Sequence, residues 1–168
     1  YNLRTKKVFK HNNYLGERAF NKAITFSKSI IKNNNDLINT FLFPYTTETC
    51  TNDLLWKSYK VSKDLNIPIR THFAQYKSEV ENSYKIHKIS PLERLNKLKI
   101  LDQNLTLTHS IYLNKNYKKD EISTKDLKCL HDTGTNICHC PVVYLRKGYG
   151  LNSFQSLVNS GINVGIGT

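Results

Sequence analysis

Methionine is absent from these 168 residues, acidic side chains are scarce, with 13 Asp and Glu against 25 Lys and Arg, and cysteine occurs only four times. No apolar stretch approaches the roughly 20 residues of a membrane-spanning helix, and no membrane partner is expected. The cysteines, Cys50, Cys129, Cys138 and Cys140, lack the density of a small secreted disulfide scaffold, and a reducing, cytoplasmic setting is the default. No secretory signal is seen, but the chain starts at Tyr1, has no Met and stops as its last strand ends. It therefore reads as an internal piece of a longer polypeptide, and the missing signal excludes nothing.

The formal charge of +12 would suit an anionic partner, yet its distribution argues against one. Lysine is scattered through every expected helix and loop, and only Lys115, Lys118 and Lys119 make a dense knot, which reads as a solvated loop. RNA-binding aromatic signatures, zinc-finger spacing and a recognition-helix pattern are all missing, so nucleic acid is not expected as a partner.

What is present is a histidine that recurs where one apolar, β-branched run after another ends: Ile67 to His72, Leu105 to His109, and Asn136 to His139. Polar, helix-starting sequence follows each run. Strands alternating with helices imply a parallel sheet, whose ligands sit at the carboxyl ends of the strands, where three imidazoles can converge.

The intervening sequence supplies the helices. Glu17 to Lys32 carries Phe20, Ala23, Ile24, Phe26, Ile30 and Ile31 at a spacing that lays one face on a core, and Asn33 to Asp36 stops it. Ile38 to Tyr45 reads as a strand buried on both faces. Thr51 caps a helix carrying Leu54, Leu55, Tyr59 and Val61, and another starts near Lys77. Ser90-Pro91 opens a further helix, with Glu93 placed for a capping box and Leu92, Leu95 and Leu98 inward. Thr124 to His131 is helical, with Gly134 as its carboxyl-terminal cap. Pro141 to Gly150 reads as a mobile loop over the site, Leu151 to Asn159 as a helix capped by Gly161, and Asn163 to Thr168 as the last strand.

Four motifs in this frame, Thr71-His72-Phe73-Ala74-Gln75 with Glu79 nearby, Leu107 to Leu113, His139-Cys140-Pro141, and Val164 to Thr168, stand in an order and spacing that resembles the metal-dependent amidohydrolase superfamily. The branch most similar holds triazine chlorohydrolases, cytosine and guanine deaminases and adenosylhomocysteine deaminases. The resemblance implies an α/β fold, a (β/α)₈ barrel. Such a barrel needs about 250 residues, so residues 1–168 would be one partial barrel domain, about strands four to eight. It implies that His72 is a metal ligand and that His109 is catalytic and contacts the substrate or attacking water, while His139 and Gln75 line the substrate site. An upstream histidine pair and a metal-binding aspartate directly after Thr168 would complete the set. The implied cofactor is one divalent ion, zinc first and iron second, and the partner a small-molecule substrate. A homodimer of the full-length protein stays open, and the piece alone is expected to be inactive.

An ion held by imidazole nitrogens lowers the pKa of bound water towards neutrality, and an adjacent aspartate can relay the proton. The implied function is hydrolysis of a C–N or C–Cl bond in a nitrogen-containing ring or amide. Family members commonly carry glutamate three residues after the strand-five histidine, where it protonates a ring nitrogen. Gln75 hydrogen-bonds but cannot transfer a proton at ordinary pH, which favours substrates with a good leaving group such as chloride, or an exocyclic amide, over aromatic bases. The rival reading is a non-catalytic barrel remnant or basic binding protein whose site has decayed. In Cys138-His139-Cys140, strand alternation points both sulfurs away from the imidazole, so buried, inert thiols are expected rather than a zinc site. His11, His87 and His131 are expected to be solvated, and Gly148 and Gly150 near Arg146 and Lys147 make only a weak anion cradle.

Overall fold

A computed structural model describes residues 11–113, 122–146, 148 and 154–167. Residues 1–10 lie outside these, as do the expectations for the Lys115–Lys119 knot, Lys147, Gly150, Leu151 and Thr168. Strands β1 (Ile69–Phe73), β2 (Leu105–His109), β3 (Asn136–His139) and β4 (Val164–Ile166) form one parallel sheet in the order β1-β2-β3-β4. Helices α1 (Asn13–Asn33) and α2 (Asn52–Asp64) precede β1, α3 (Lys77–His87) and α4 (Pro91–Lys97) separate β1 from β2, and α5 (Thr124–Thr133) precedes β3. Helices α6 (Pro141–Leu145) and α7 (Phe154–Asn159) precede β4. The strand order never reverses, as in a sheet winding towards a barrel and unlike a doubly wound sheet with its switch point.

Alternation along the strands divides the sheet into two faces. Ile69, Phe73, Leu105, Leu107 and Ile137 are buried on one face among Leu55, Val80, Leu92, Leu95, Leu130 and Leu157 of the helices. The other face carries two registered layers, Arg70, Thr106 and Asn136 below, and His72, Thr108, Cys138 and Gly165 above, all half-buried or exposed.

Local chemistry sets the helix ends. The Thr51 hydroxyl accepts from the Leu54 amide at 3.1 Å and the Ser90 hydroxyl from the Glu93 amide at 3.0 Å, each satisfying an otherwise orphaned amide. Gly134 closes α5 at φ +65°, where a Cβ would be strained.

Four expectations are corrected. Helix α1 begins at Asn13, where the Asn12 side chain caps it, rather than at Glu17. Its apolar residues are not laid on a core: Phe26 is 62% exposed, and Ser27 is the buried residue of the helix. The segment 38–45 is not a strand buried on both faces. It touches the sheet through the isolated bridges Leu42 to Ile69 and Thr46 to His72, and Phe43 and Tyr45 remain 43% and 52% exposed, because described residues cover only the side on which Leu42 lies. Within the expected loop 141–150, residues 141–145 are helical, since Pro141 fits the first helical position and Tyr144 is buried as an anchor.

Candidate metal centre and its supports

The carboxyl ends of β1 and β2 bring His72 and His109 together. Strand pairing sets His72 beside Thr108 and places His109 opposite Phe73, so simple alternation would send the two imidazoles to opposite faces. The backbone leaves the extended conformation at His109 (φ +79°) and Ser110 (φ +52°), and alternation no longer governs the ring. His109 Nε2 lies 3.1 Å from His72 Nδ1, with the rings stacked at 5.0 Å and 22°. Left-handed backbone at a residue other than glycine costs about 1–3 kcal/mol and tends to cluster at functional sites.

Burial lowers the His72 pKa, which favours the neutral imidazole, the form that binds a metal. On a tetrahedral zinc with Zn–N bonds of 2.0–2.1 Å, two ligand nitrogens stand about 3.3 Å apart. The observed 3.1 Å contact is a hydrogen bond between the two ring nitrogens, at a separation close to that of two nitrogens on one ion. No group of three or more His, Cys, Asp or Glu side chains able to hold a metal occurs among the described residues. Phe43 and Tyr45 meet the His72 ring edge-on at 5.0 and 5.1 Å and wall the site on the β1 side.

His139 occupies a different position from the other two. It is 1% exposed, and its Nδ1 approaches the main-chain oxygen of His109 at 3.3 Å, so it lies behind His109. Burial lowers its pKa, and Nε2 is buried with no hydrogen-bond partner among the described residues.

Gln75 is half-buried three residues after His72, and its side-chain amide donates to the Tyr76 hydroxyl at 3.3 Å. Its main chain is held from both sides: its amide donates to Glu79 Oε2 at 2.9 Å, and its carbonyl accepts from the Tyr144 hydroxyl at 3.1 Å.

Glu79 lies four residues after Gln75, whose amide it holds. Only 3% exposed, it also accepts from the Ala74 amide at 3.0 Å and the Thr47 hydroxyl, fixing Ala74 at φ +44°. Burial pushes its carboxyl up against the pull of these donors. Sequence reasoning missed Arg94, whose buried guanidinium donates to Asn52 Oδ1 at 2.7 Å and to the carbonyls of Thr47 and Cys50. Thr47 joins both residues into one network beneath the site. The available signal was a charged residue flanked by inward leucines, Leu92 and Leu95, in a short helix.

Cys140 is buried, and burial pushes its thiol up to about 11. A Cβ on Gly167 would stand 3.1 Å from Cys140 Sγ and 3.2 Å from Cys138 Sγ, so the two sulfurs flank that glycine. His131 is exposed at the surface, and His87 is half-buried.

Residues 7–168 match the amidohydrolase family. The chain belongs to this family. It is 28% identical over 144 residues to a 5-methylthioadenosine/S-adenosylhomocysteine deaminase of Pyrococcus furiosus, covering 85% of the chain and 32% of that protein. This family member thus spans about a third of the curated relatives it matches. Among solved structures it superposes on an adenosine deaminase from Xanthomonas campestris with bound zinc, with a TM-score of 0.76 and 20% identity, over 89% of the chain and 31% of that structure. The zinc complex of atrazine chlorohydrolase from Arthrobacter aurescens TC1 superposes with a TM-score of 0.72 and 19% identity, over 86% and 31%. Both support the α/β barrel fold with a parallel sheet.

Proposed function

We propose that the full-length protein is a metal-dependent hydrolase of C–N or C–Cl bonds in a nitrogen-containing ring or amide, and that this chain is one partial domain supplying about strands four to eight of its barrel. The observation that carries the reading is the pair of imidazole nitrogens 3.1 Å apart at the carboxyl edge of a parallel sheet, one of them on strained backbone. In this reading zinc stands ahead of iron, with support from two structural neighbours, a deaminase and a chlorohydrolase, solved with zinc. When bound, such an ion activates water and polarises the bond to be broken.

His72 holds the ion. His109, within ligand spacing, shares it or polarises the substrate, and His139 positions His109 from behind. Phe43 and Tyr45 supply an apolar wall that excludes bulk water and accepts a flat ring. Gln75 orients that ring by hydrogen bonding. A glutamine leaves ring protonation to another group, so a substrate with a departing chloride or exocyclic amide suits the site better than an adenosine-type base. The four cysteines are free, as suits the cytoplasm.

The test is elemental analysis of the purified full-length protein together with a substrate panel scored for ammonia or chloride release. One zinc per chain and turnover of a chlorinated or amide-bearing ring are expected. A metal-free protein inert on the whole panel would favour the non-catalytic reading, and efficient deamination of guanine, cytosine or adenosine with Gln75 in place would refute the role given to that residue.

A further inference from the structure

Three loops meet at the site, each following a different strand, and one side chain touches two of them from the third. Tyr144, in α6 after β3, is 1% exposed. Its hydroxyl donates to the Gln75 carbonyl after β1 at 3.1 Å, and its ring packs edge-on against His109 at the end of β2, with centroids 5.6 Å apart at 75°. The hydroxyl is committed in its un-ionised form, since burial raises its pKa far above the ordinary phenol range.

We infer that Tyr144 is a positioning residue that sets the separation between Gln75 and His109, and through it the size of ring the site accepts. This rests on the proposed role of those two residues. The geometry divides the work between two parts of one side chain. The hydroxyl finishes the clamp that Glu79 begins, since Glu79 holds the Gln75 amide while Tyr144 holds the carbonyl of the same residue. The ring supports His109, whose left-handed backbone needs surroundings that over-determine it. The expected loop over the site is thereby, in its first turn, a fixed part of the site.

The two parts separate by substitution in the full-length protein. Tyr144→Phe keeps the ring and removes one hydrogen bond, so amide exchange at Ala74 and Gln75 should rise about five- to tenfold, with β2 and β3 unchanged. That readout needs no substrate and stands even if the hydrolase reading fails. On a ring substrate that the enzyme turns over, Tyr144→Phe should raise KM by about the same factor and leave kcat within about twofold, and it should add nothing in a Gln75→Ala background, because both changes act through one contact. Tyr144→Leu removes the ring support too, and should lower kcat about tenfold or more in either background. Unchanged exchange around Gln75, or KM effects of Tyr144→Phe and Gln75→Ala that simply multiply, would overturn the inference.

Discussion

The two faces of the sheet differ in almost every respect. On the helix side Leu105, Leu107 and Ile137 are buried against leucines and valine from five helices, while on the other side the same strands present Arg70, His72, Thr106, Thr108, Asn136 and Cys138. One residue of register separates a stabilising position from one available to chemistry. His109 is where the division is broken, because its backbone departs from the strand and brings a ring due for the helix side against His72. Stability is therefore expected to follow parity along each strand, and activity to follow the exception.

The sharpest break of that contrast is His72→Ala in the full-length protein. Losing one of few protein ligands should strip most of the metal and lower turnover about a thousandfold or more, with little loss of thermal stability in the metal-free state. Metal retained at the wild-type level by elemental analysis would reassign the ligand. His109→Ala, if His109 only contacts substrate or water, should lower turnover with more of the metal kept. Equal metal loss in both variants would make His109 a ligand, as the 3.1 Å spacing allows.

Next in size comes adjacent parity on β2. Leu107 is fully buried, so Leu107→Ala should cost about 2–5 kcal/mol through lost burial and a residual cavity. Thr108→Ser, one residue on and facing the site, should stay within about 0.5 kcal/mol. Denaturant midpoints of the two variants measure the contrast, and similar losses would deny that the faces differ.

Much of this arrangement is legible in the sequence. Caps at Thr51, Ser90 and Gly134 announce helix ends through side-chain chemistry that acts locally, and the β-branched runs mark β1, β2 and β3 with their terminal histidines. What sequence cannot carry is conformation that a residue type does not announce. A glycine advertises left-handed backbone, whereas His109 and Ala74 adopt it only because neighbours hold them there. The Glu79–Thr47–Arg94 network is similarly hidden, since two charged residues on helices look solvated until the fold buries them. The run Phe41-Leu42-Phe43 misled for the reverse reason, because apolar character alone does not say which face will be covered.

A smaller effect concerns pH. Burial holds the His139 pKa below its ordinary value, so between about pH 6.5 and that lower value the unfolded chain binds a proton that the native state does not. Stability therefore falls as pH drops through this window. His139→Gln should flatten the slope by at most about 1.4 kcal/mol per pH unit, measured as unfolding midpoints at pH 7.5, 6.5 and 5.5. An unchanged slope would show that His139 titrates alike in both states.

The smallest effect isolates the backbone at the exception. His109→Gly relieves the left-handed strain that His109→Ala keeps, and should be more stable than the alanine variant by about 1 kcal/mol although neither retains the imidazole. Equal midpoints would mean that the backbone at 109 relaxes once the ring is gone.

The central claim, that the exposed parity of this sheet carries a metal at His72, is tested most directly by anomalous diffraction at the zinc absorption edge from crystals of the full-length protein. The account predicts a peak bonded to a His72 ring nitrogen at about 2.0–2.1 Å, with His109 beside it. A zinc-replete, active enzyme whose anomalous peak lies away from His72 would contradict it.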